Sequence, residues 1–324
     1  MGKDPSAFVS ALWNRLRRVQ MESSQVAPLR VIDLRVMNVL ADSPNIFHVF
    51  ALEVNRVFQL IVEDIESDWA VLIHSSHRLI WRGFVLSGLV PVFCNASEID
   101  RDYVFVQLPP LDSGSWLVDP HQFLCYRSSS IYRAMVRRIL IRHGCLSAPD
   151  QLIDVVFVKR LFSRILLDSA SMKPIEALLD KACRDLGLSF RVASFEDMAP
   201  LEQVALMRQT RLLVGVHGAG LTNLVFLQDS ATVFEVDFRK YWSCDPVCKD
   251  HFSGRISFRE KCSDAKPYHK ADFHNLAGLF GKNYDSLSID GVMGRTDVNP
   301  ISVAHVLLNG DLLINKCFQL LELG

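Results

Sequence analysis

The sequence lacks several features that would each point to a particular class of protein. Its apolar runs, such as residues 84–94 and 301–308, are far shorter than the roughly 20 residues that cross a bilayer, so we expect no transmembrane helix. Its formal net charge is only -1, which gives no global field to attract nucleic acid or an anionic membrane. The basic stripe near the N-terminus has helical spacing and is not followed by an apolar block, so no signal peptide is expected in the chain as given.

Cofactor and metal motifs are equally scarce. Residues 215–220 read Gly-Val-His-Gly-Ala-Gly, in which the middle glycine is misplaced for a dinucleotide fingerprint, and no Walker lysine follows. An NAD-dependent oxidoreductase, which would also need an acidic residue at the end of the next strand, is therefore a minor alternative. No Asp-x-Asp follows a strand, and His269 and His274 stand without companion ligands. We expect neither a metal nor another cofactor.

Two weaker signals concern the cellular compartment. Eight cysteines are too few for a fold built on disulfides, but Cys244, Cys248 and Cys262 cluster where a bridge would be useful. Buried free thiols are the alternative. The triplet Asn95-Ala96-Ser97 is an acceptor for N-linked glycosylation, which has meaning only in a secretory lumen.

The first half of the chain contains short apolar runs separated by amphipathic stretches. Strands of one parallel sheet are predicted at residues 29–40, 69–74, 90–94 and 103–108. Helices are predicted at residues 46–61 and 128–143. The aperiodic stretch 145–151 is the predicted boundary between two domains, residues 1–147 and 148–324.

The second half alternates strands and helices more regularly. Strands are predicted at residues 153–158, 189–193, 212–216 and 232–236, and helices at residues 174–186, 201–209 and 221–227. Such alternation implies parallel strands with right-handed crossovers, so we predict an α/β protein whose second domain is doubly wound. A long helix over residues 301–323 is expected to end the chain.

The turn after the 212–216 strand is the strongest candidate for a ligand site. Gly218 and Gly220 allow backbone to approach a ligand closely, and the helix that begins near Leu221 would present unpaired amides. Ligands of open α/β sheets bind at the carboxyl ends of strands, so this turn suits a diphosphate. A plain tight turn is the alternative, but it does not explain the polar His217 at the strand end.

Charged residues on neighbouring strands are candidates to complete this site. Arg160 and Arg164 follow the 153–158 strand, and planar guanidinium groups match phosphate oxygens, although a solvated basic loop is the alternative. Glu235 interrupts an apolar strand, where its buried carboxylate needs either a ribose hydroxyl pair or a structural ion pair as its partner. The two readings of Glu235 stay open at this level.

The first domain offers a weaker constellation on its predicted helix. Helical spacing places Asn45 and His48 nearly on one face, whereas Glu53 points away from His48. A lone helical histidine is more often a satisfied core residue than a catalyst.

These blocks together resemble glycosyltransferase family 61. The family includes EGF-domain-specific O-linked N-acetylglucosamine transferases, protein O-mannose β-1,4-N-acetylglucosaminyltransferases and plant β-1,2-xylosyltransferases. The resemblance extends over residues 44–237 and is strongest over 195–237, where Phe195-Glu196-Asp197-Met198, Glu202-Gln203 and residues 214–227 are similar to the signature block. Residues 156–166 resemble the arginine-bearing turn, residues 45–50 the Asn-x-x-His block, and Cys244 with Cys248 a two-cysteine stretch of the EGF-type members.

The resemblance implies a GT-B architecture, in which two Rossmann-like domains face each other across a cleft. The acceptor would bind to the first domain and a UDP-sugar to the second, with inverting transfer of N-acetylglucosamine, or alternatively of xylose, to a hydroxyl of a protein or glycan. It also implies residence in the Golgi or endoplasmic reticulum and no essential metal. The implied donor-binding residues are Arg160, Arg164, His217, Gly218, Ala219, Gly220, Leu221, Asn223 and Glu235.

The implied catalytic residues are Asn45, His48 and Glu53, and here the sequence departs from the family pattern. Family members usually carry an acidic residue four positions after the motif histidine, where this chain has Leu52. Glu53 would serve as the base if the helix is distorted, or His48 would take that role. Otherwise the protein is a poor catalyst or a nucleotide-binding pseudoenzyme.

Overall fold

The computed structural model shows an α/β protein whose contacts divide it into two compact units, Met1–Ser147 and Ala148–Gly324. The structure describes residues 27–35, 64, 66–77, 80–107, 129–147, 149, 151–161, 164–237, 271–289, 291–294 and 303–322, and single positions between 46 and 61. Each unit contains its own parallel sheet. The α/β class predicted from the sequence is confirmed, whereas the facing of two domains across a cleft stays a prediction.

The first unit contains a four-stranded parallel sheet in the order β3-β2-β1-β4. Its strands are β1 (Leu29–Asp33), β2 (Trp69–Leu72), β3 (Val92–Phe93) and β4 (Tyr103–Val106). Strand β2 is buried at every position, as expected for an apolar strand that is covered on both faces.

Two described helices accompany this sheet, α1 (Trp81–Leu89) and α2 (Ser129–Arg142). They pack so closely that a Cβ added at Gly88 would lie 2.9 Å from the Cα of Ile139. The imidazole of His143 stacks on the ring of Phe84 with the ring centroids 3.9 Å apart. Helix α1 was not predicted, because its apolar residues merge with the following strand into a single run without helical spacing.

The second unit contains a five-stranded parallel sheet in the order β10-β9-β8-β5-β7. Its strands are β5 (Ile153–Val158), β7 (Phe190–Ala193), β8 (Thr210–Val216), β9 (Thr232–Asp237) and β10 (Asn283–Ser288). The connections between them carry the helices α3 (Ile175–Asp185), α4 (Pro200–Gln209) and α5 (Ala271–Phe280), and a 3-10 segment over Ala219–Phe226. From β5 the chain first adds β7 on one side and then returns to add β8 on the other.

The 3-10 segment stands where a helix over residues 221–227 was predicted. Its first turn is closed by a hydrogen bond of 2.9 Å from the Leu221 amide to the Gly218 carbonyl, which is three residues back. The segment lies tightly on β8, since a Cβ added at Gly215 would be 3.0 Å from a methyl carbon of Leu221. Residues 221–226 are all buried, so the segment is covered on more than one face.

The predicted helix over residues 301–323 is wrong in its first part. Residues Val303–Leu308 form strand β12, which pairs in parallel with β6 (Ile165–Asp168) and antiparallel with β11 (Gly291–Gly294). Helix α6 begins only at Gly310 and ends at Glu322. The apolar stripe continued across both elements, and the β6 partner that selects a strand at 303–308 was not recognised in the sequence.

The carboxylate of Asp168 joins the three-stranded sheet of β11, β12 and β6 to the start of α6. Asp168 accepts hydrogen bonds from the Ser171 amide at 2.8 Å, the Ser171 hydroxyl at 2.6 Å and the Gly310 amide at 3.0 Å. These bonds to the ionised form lower the pKa of Asp168 to about 2. The Gly310 contact satisfies one of the amides that a helix N-terminus leaves unpaired.

We expect Asp168→Asn to lower the free energy of unfolding by about 1 to 2 kcal/mol at pH 7, because an amide nitrogen cannot accept the Ser171 bonds. The folded-state pKa is depressed, so this stability is present above the ordinary value of 3.8 and is lost as the pH falls toward 2. Urea unfolding at pH 7 and at pH 2.5 measures the difference between the two proteins. A difference of the same size at both pH values would contradict the assignment, and Asp180→Asn on the exposed face of α3 is the control.

Candidate functional site

The strand order of the five-stranded sheet defines a switch point between β5 and β8. The chain leaves β5 in one direction toward β7 and returns to the other side to form β8, so the connections diverge from adjacent strand ends. Val158 at the end of β5 lies beside Gly215 of β8 in register. A crevice for a ligand is expected outside the carboxyl ends of such a strand pair. The segments that leave these two ends are residues 159–164 and 217–220.

A buried chain of hydrogen bonds fixes the side chain at the end of β8. The Nδ1 atom of His217 lies 2.5 Å from Oε1 of Glu235, and the Tyr284 hydroxyl lies 2.5 Å from Oε2 of the same carboxylate. The Glu235 residue is completely buried, and the His217 ring contacts the Phe273 ring edge-to-face at 5.2 Å. Since an ionised carboxylate only accepts, Nδ1 and the phenol carry the protons, which sets the tautomer of the imidazole.

This geometry bears on the two readings of Glu235 that the sequence left open. Its two carboxylate oxygens contact His217, which directly follows β8, and Tyr284 of β10. Its described role is therefore to hold His217, while direct binding of a ribose by Glu235 stays a prediction. Tyr284 was missed in the sequence, because a single tyrosine 49 residues along the chain gives no signal that it pairs with this glutamate.

Arg164 connects the end of β5 to the end of β8. Its Nη1 atom donates to the His217 carbonyl at 2.9 Å, although 53 residues separate the two positions. The residue is buried, with 9% of its surface exposed, and its backbone has φ 58°. Burial, together with the smaller effect of the nearby Arg160 charge, lowers the pKa of Arg164 to about 10. An anion placed between these two cations would relieve both effects.

Arg160 is the more accessible of the two guanidinium groups. Its Nη1 atom is 3.1 Å from Oε1 of Glu196, in the first acidic block of the signature region. Its Nε atom is buried and has no hydrogen-bond partner among the residues that the structure describes. The neighbouring Lys159 instead pairs with Glu176 of α3 at 2.8 Å. Of the two basic residues that directly follow β5, Arg160 therefore has an unused donor, whereas Lys159 is paired with a helix.

The two glycines of the turn have different surroundings. A Cβ added at Gly218 would lie 2.9 Å from Nη1 of Arg164, so any side chain there would displace the guanidinium. A Cβ added at Gly220 would instead lie 3.3 Å from Val158 and 3.4 Å from the Phe195 ring. Gly218 thus borders the charged groups, whereas Gly220 serves the packing of the turn. The Leu221 amide is not an unpaired donor as predicted, since it bonds the Gly218 carbonyl.

Two amide side chains, those of Asn223 and Gln203, stabilise the turn at residues 217–220 through hydrogen bonds. Asn223 donates to Oε1 of Gln203 at 3.0 Å and to the Gly220 carbonyl at 3.2 Å. Gln203 in turn donates to the carbonyls of Phe195 and Met198, each at 2.9 Å. Asn223 and Gln203 are both buried. The bond between Asn223 and Gln203 therefore joins residues 214–227 to residues 195–203.

Several predicted residues lie outside the described part of the chain. Asn45, His48 and Glu53 are among them, so the proposed base in the first domain has no structural account, and the same holds for Cys244, Cys248 and Cys262. Within the described residues, no group of three or more His, Cys, Asp or Glu side chains is arranged to hold a metal ion. In that same part of the chain no helix has the length and apolar character needed to cross a membrane.

The comparisons with known proteins find a family that the region of this site resembles. Residues 107–234 match the family model described as Glycosyltransferase 61. The chain is 31% identical over 140 residues to the EGF domain-specific O-linked N-acetylglucosamine transferase of Xenopus laevis, covering 42% of this chain and 26% of that protein. It is 32% identical over 125 residues to the protein of the same name from Drosophila melanogaster, covering 37% and 22%.

The mouse protein of that name is 26% identical over 140 residues, again covering 42% of this chain and 25% of its own length. The matched segment thus spans about a quarter of the length of these relatives. The family match at residues 107–234 contains the whole of β5, β7 and β8 and the turn at 217–220. Over this part of the chain, the comparisons support an assignment to glycosyltransferase family 61.

Proposed function

We propose that this chain binds the diphosphate of a UDP-sugar at the switch point and transfers the sugar to a hydroxyl of a protein or glycan. The observation that carries the proposal is the convergence of Arg160, Arg164 and the turn at His217 and Gly218 on two adjacent strand ends. N-acetylglucosamine is the sugar that we favour, since it is the one named in the matched relatives.

The proposed reaction is a single in-line displacement at C1 of the sugar. The acceptor oxygen forms a bond to C1 while the bond from C1 to the β-phosphate oxygen breaks, and a base of the first domain takes the hydroxyl proton. Negative charge develops on the departing diphosphate, where guanidinium donors stabilise it. A cation that is already buried and positioned needs no reorganisation as this charge develops, and Arg164 meets that condition.

The Glu235 pair supports the same reaction by orienting His217. The carboxylate at Nδ1 holds the imidazole in one orientation at the end of β8. The Tyr284 bond to the other oxygen keeps the carboxylate from turning away. Arg160 and Arg164 provide two positively charged groups near the proposed diphosphate position, and the His217 carbonyl accepts a hydrogen bond from Arg164.

A luminal location in the Golgi or endoplasmic reticulum completes the proposal. It is supported by the matched relatives, whose names give an EGF domain as the acceptor. EGF domains are small secreted domains that are rich in disulfides. The acceptor of this chain is proposed only as a protein or glycan hydroxyl.

A panel of nucleotides and nucleotide sugars tested by thermal shift, followed by transfer assays with the best donor, tests the proposal. UDP-N-acetylglucosamine is expected to raise the melting temperature and to support transfer. NAD belongs in the panel, because Asp237 ends β9 and thus meets one condition of the oxidoreductase alternative. Stabilisation by NAD and by no UDP compound would overturn the proposal.

We expect chelation of divalent ions to leave both UDP binding and transfer unchanged. The guanidinium groups of Arg160 and Arg164 supply the positive charge that a divalent ion would otherwise bring to the diphosphate. Titration calorimetry with UDP in EDTA and in magnesium measures this directly. A loss of UDP binding in EDTA that magnesium or manganese restores would show that the metal-free reading is wrong.

A nucleotide-binding protein without turnover is the second candidate, and Leu52 favours it. This residue occupies the position at which family members usually carry an acid. The two candidates share the diphosphate site and differ only in the base. UDP binding together with undetectable transfer and hydrolysis of the donor would select the pseudoenzyme.

A further inference from the structure

One motif of the sequence is not explained by the donor site, the triplet Asn95-Ala96-Ser97. An Asn-x-Ser/Thr triplet with x other than proline occurs only once in the 324 residues. It follows strand β3 in the first unit and lies on the surface, with Asn95 and Ser97 both exposed. The Asn95 backbone is extended, with φ -128° and ψ 145°, and a 3-10 turn over Ala96–Glu98 follows it.

The contacts of the Asn95 amide are compatible with a substituent on its nitrogen. Nδ2 donates to Oε1 of Glu98 at 3.2 Å, and the other oxygen of Glu98 accepts from the Cys94 amide at 3.1 Å. A primary amide has two N–H groups, and replacing one by a sugar leaves the other to keep the Glu98 bond. Both residues are exposed, so a bulky group meets solvent there and no core side chain.

We propose that Asn95 carries an N-linked oligosaccharide, a step that rests on the luminal location proposed above but not on nucleotide binding. The donor is a lipid-linked pyrophosphoryl oligosaccharide. The Asn95 nitrogen forms a bond to C1 of the first sugar, the bond from that C1 to the pyrophosphate oxygen breaks, and the amide releases one proton. The Ser97 hydroxyl completes the acceptor triplet.

The position of the glycan gives it a physical consequence. Strand β3 is at one end of the described order β3-β2-β1-β4, so Asn95 follows an edge strand. An edge strand exposes unpaired backbone groups that can pair with another chain, and bulky polar groups beside it hinder such pairing. A glycan at Asn95 therefore protects this edge as well as increasing solubility.

The test uses the full chain behind a secretory signal sequence, with a C-terminal tag that contains an accepted Asn-x-Thr triplet. Molecules that carry the tag glycan have entered the lumen, and only these are scored. We expect the wild type to carry two glycans, which appear as two mobility steps on partial digestion with peptide N-glycosidase. Complete digestion should convert Asn95 to aspartate, detectable by peptide mass.

Matched variants separate the glycan from other causes of a mobility change. Asn95→Gln and Ser97→Ala should each carry the tag glycan alone, whereas Ser97→Thr keeps the acceptor and should carry both. Wild-type molecules with the tag glycan alone would overturn the proposal. Failure of the proposed transferase function would appear instead as absent UDP binding, which leaves the glycan count unchanged.

Discussion

Replacement of Arg164 by alanine is expected to abolish sugar transfer, with a loss of about 10²-fold or more in rate, and to weaken UDP binding. The guanidinium donates to the His217 carbonyl and lies against Gly218. Its removal therefore takes away a charge and also the hydrogen bond between the segments that follow β5 and β8. Loss of one well-placed donor to a developing oxyanion costs roughly 3 to 4 kcal/mol in other enzymes. Transfer rates and calorimetric titration with UDP measure the two effects separately.

Two further variants show whether the arginine acts through its charge and shape. Arg164→Lys keeps a positive charge but loses the planar fork, so we expect it to recover part of the binding and little of the transfer rate. Arg184→Ala removes an exposed arginine that pairs with Asp180 on α3, and it should behave as the wild type. Normal turnover by a folded Arg164→Ala protein would refute the assignment.

Replacement of Glu235 by alanine is expected to lower the free energy of unfolding by about 2 to 4 kcal/mol and to abolish UDP binding. The substitution leaves the buried His217 imidazole and the Tyr284 hydroxyl without the carboxylate that each contacts at 2.5 Å. It also opens a cavity in β9, a strand that is buried at every position. Urea unfolding measures the stability, and thermal shift with UDP measures the binding.

Tyr284→Phe distinguishes positioning from folding. It removes a single oxygen, so we expect a smaller loss of about 1 kcal/mol in stability and a fall in kcat with little change in the KM for the donor. Glu235→Gln keeps the shape and should retain more stability than Glu235→Ala, while it loses the charge that orients His217. UDP binding of wild-type strength by Glu235→Ala would contradict the proposed role of this chain of bonds.

The sequence predicted the second unit well because its strands are short, apolar and separated by clear helix stops. Strand β5 was predicted with its observed bounds, and α4 begins one residue earlier than predicted, at Pro200. Long-range pairing was the information that local patterns did not contain. A helix was predicted over residues 303–308 because their apolar residues fit the period of a helix as well as that of a strand. Only the pairing with β6 selects a strand there.

The same contrast between local patterns and long-range contacts applies to the candidate site. Arg160, Arg164 and His217 were predicted from their positions at strand ends, and the structure brings Arg164 into contact with the His217 carbonyl. Glu235 was also predicted, but its partner Tyr284 was not, since the pairing of β9 with β10 brings together residues 49 positions apart. Gly220 is predicted to let backbone approach a ligand, and the structure adds that a side chain there would meet Val158 and Phe195.

The most direct measurement of the central claim is a comparison of UDP with uridine in a thermal unfolding experiment on the wild-type chain. The account places the binding energy in contacts to the diphosphate, so UDP at 100 times its Kd should stabilise the protein by about 2.7 kcal/mol, while uridine at the same concentration should have almost no effect. Arg164→Ala should lose the UDP effect. Equal stabilisation by uridine and UDP, or none by UDP, would contradict the account.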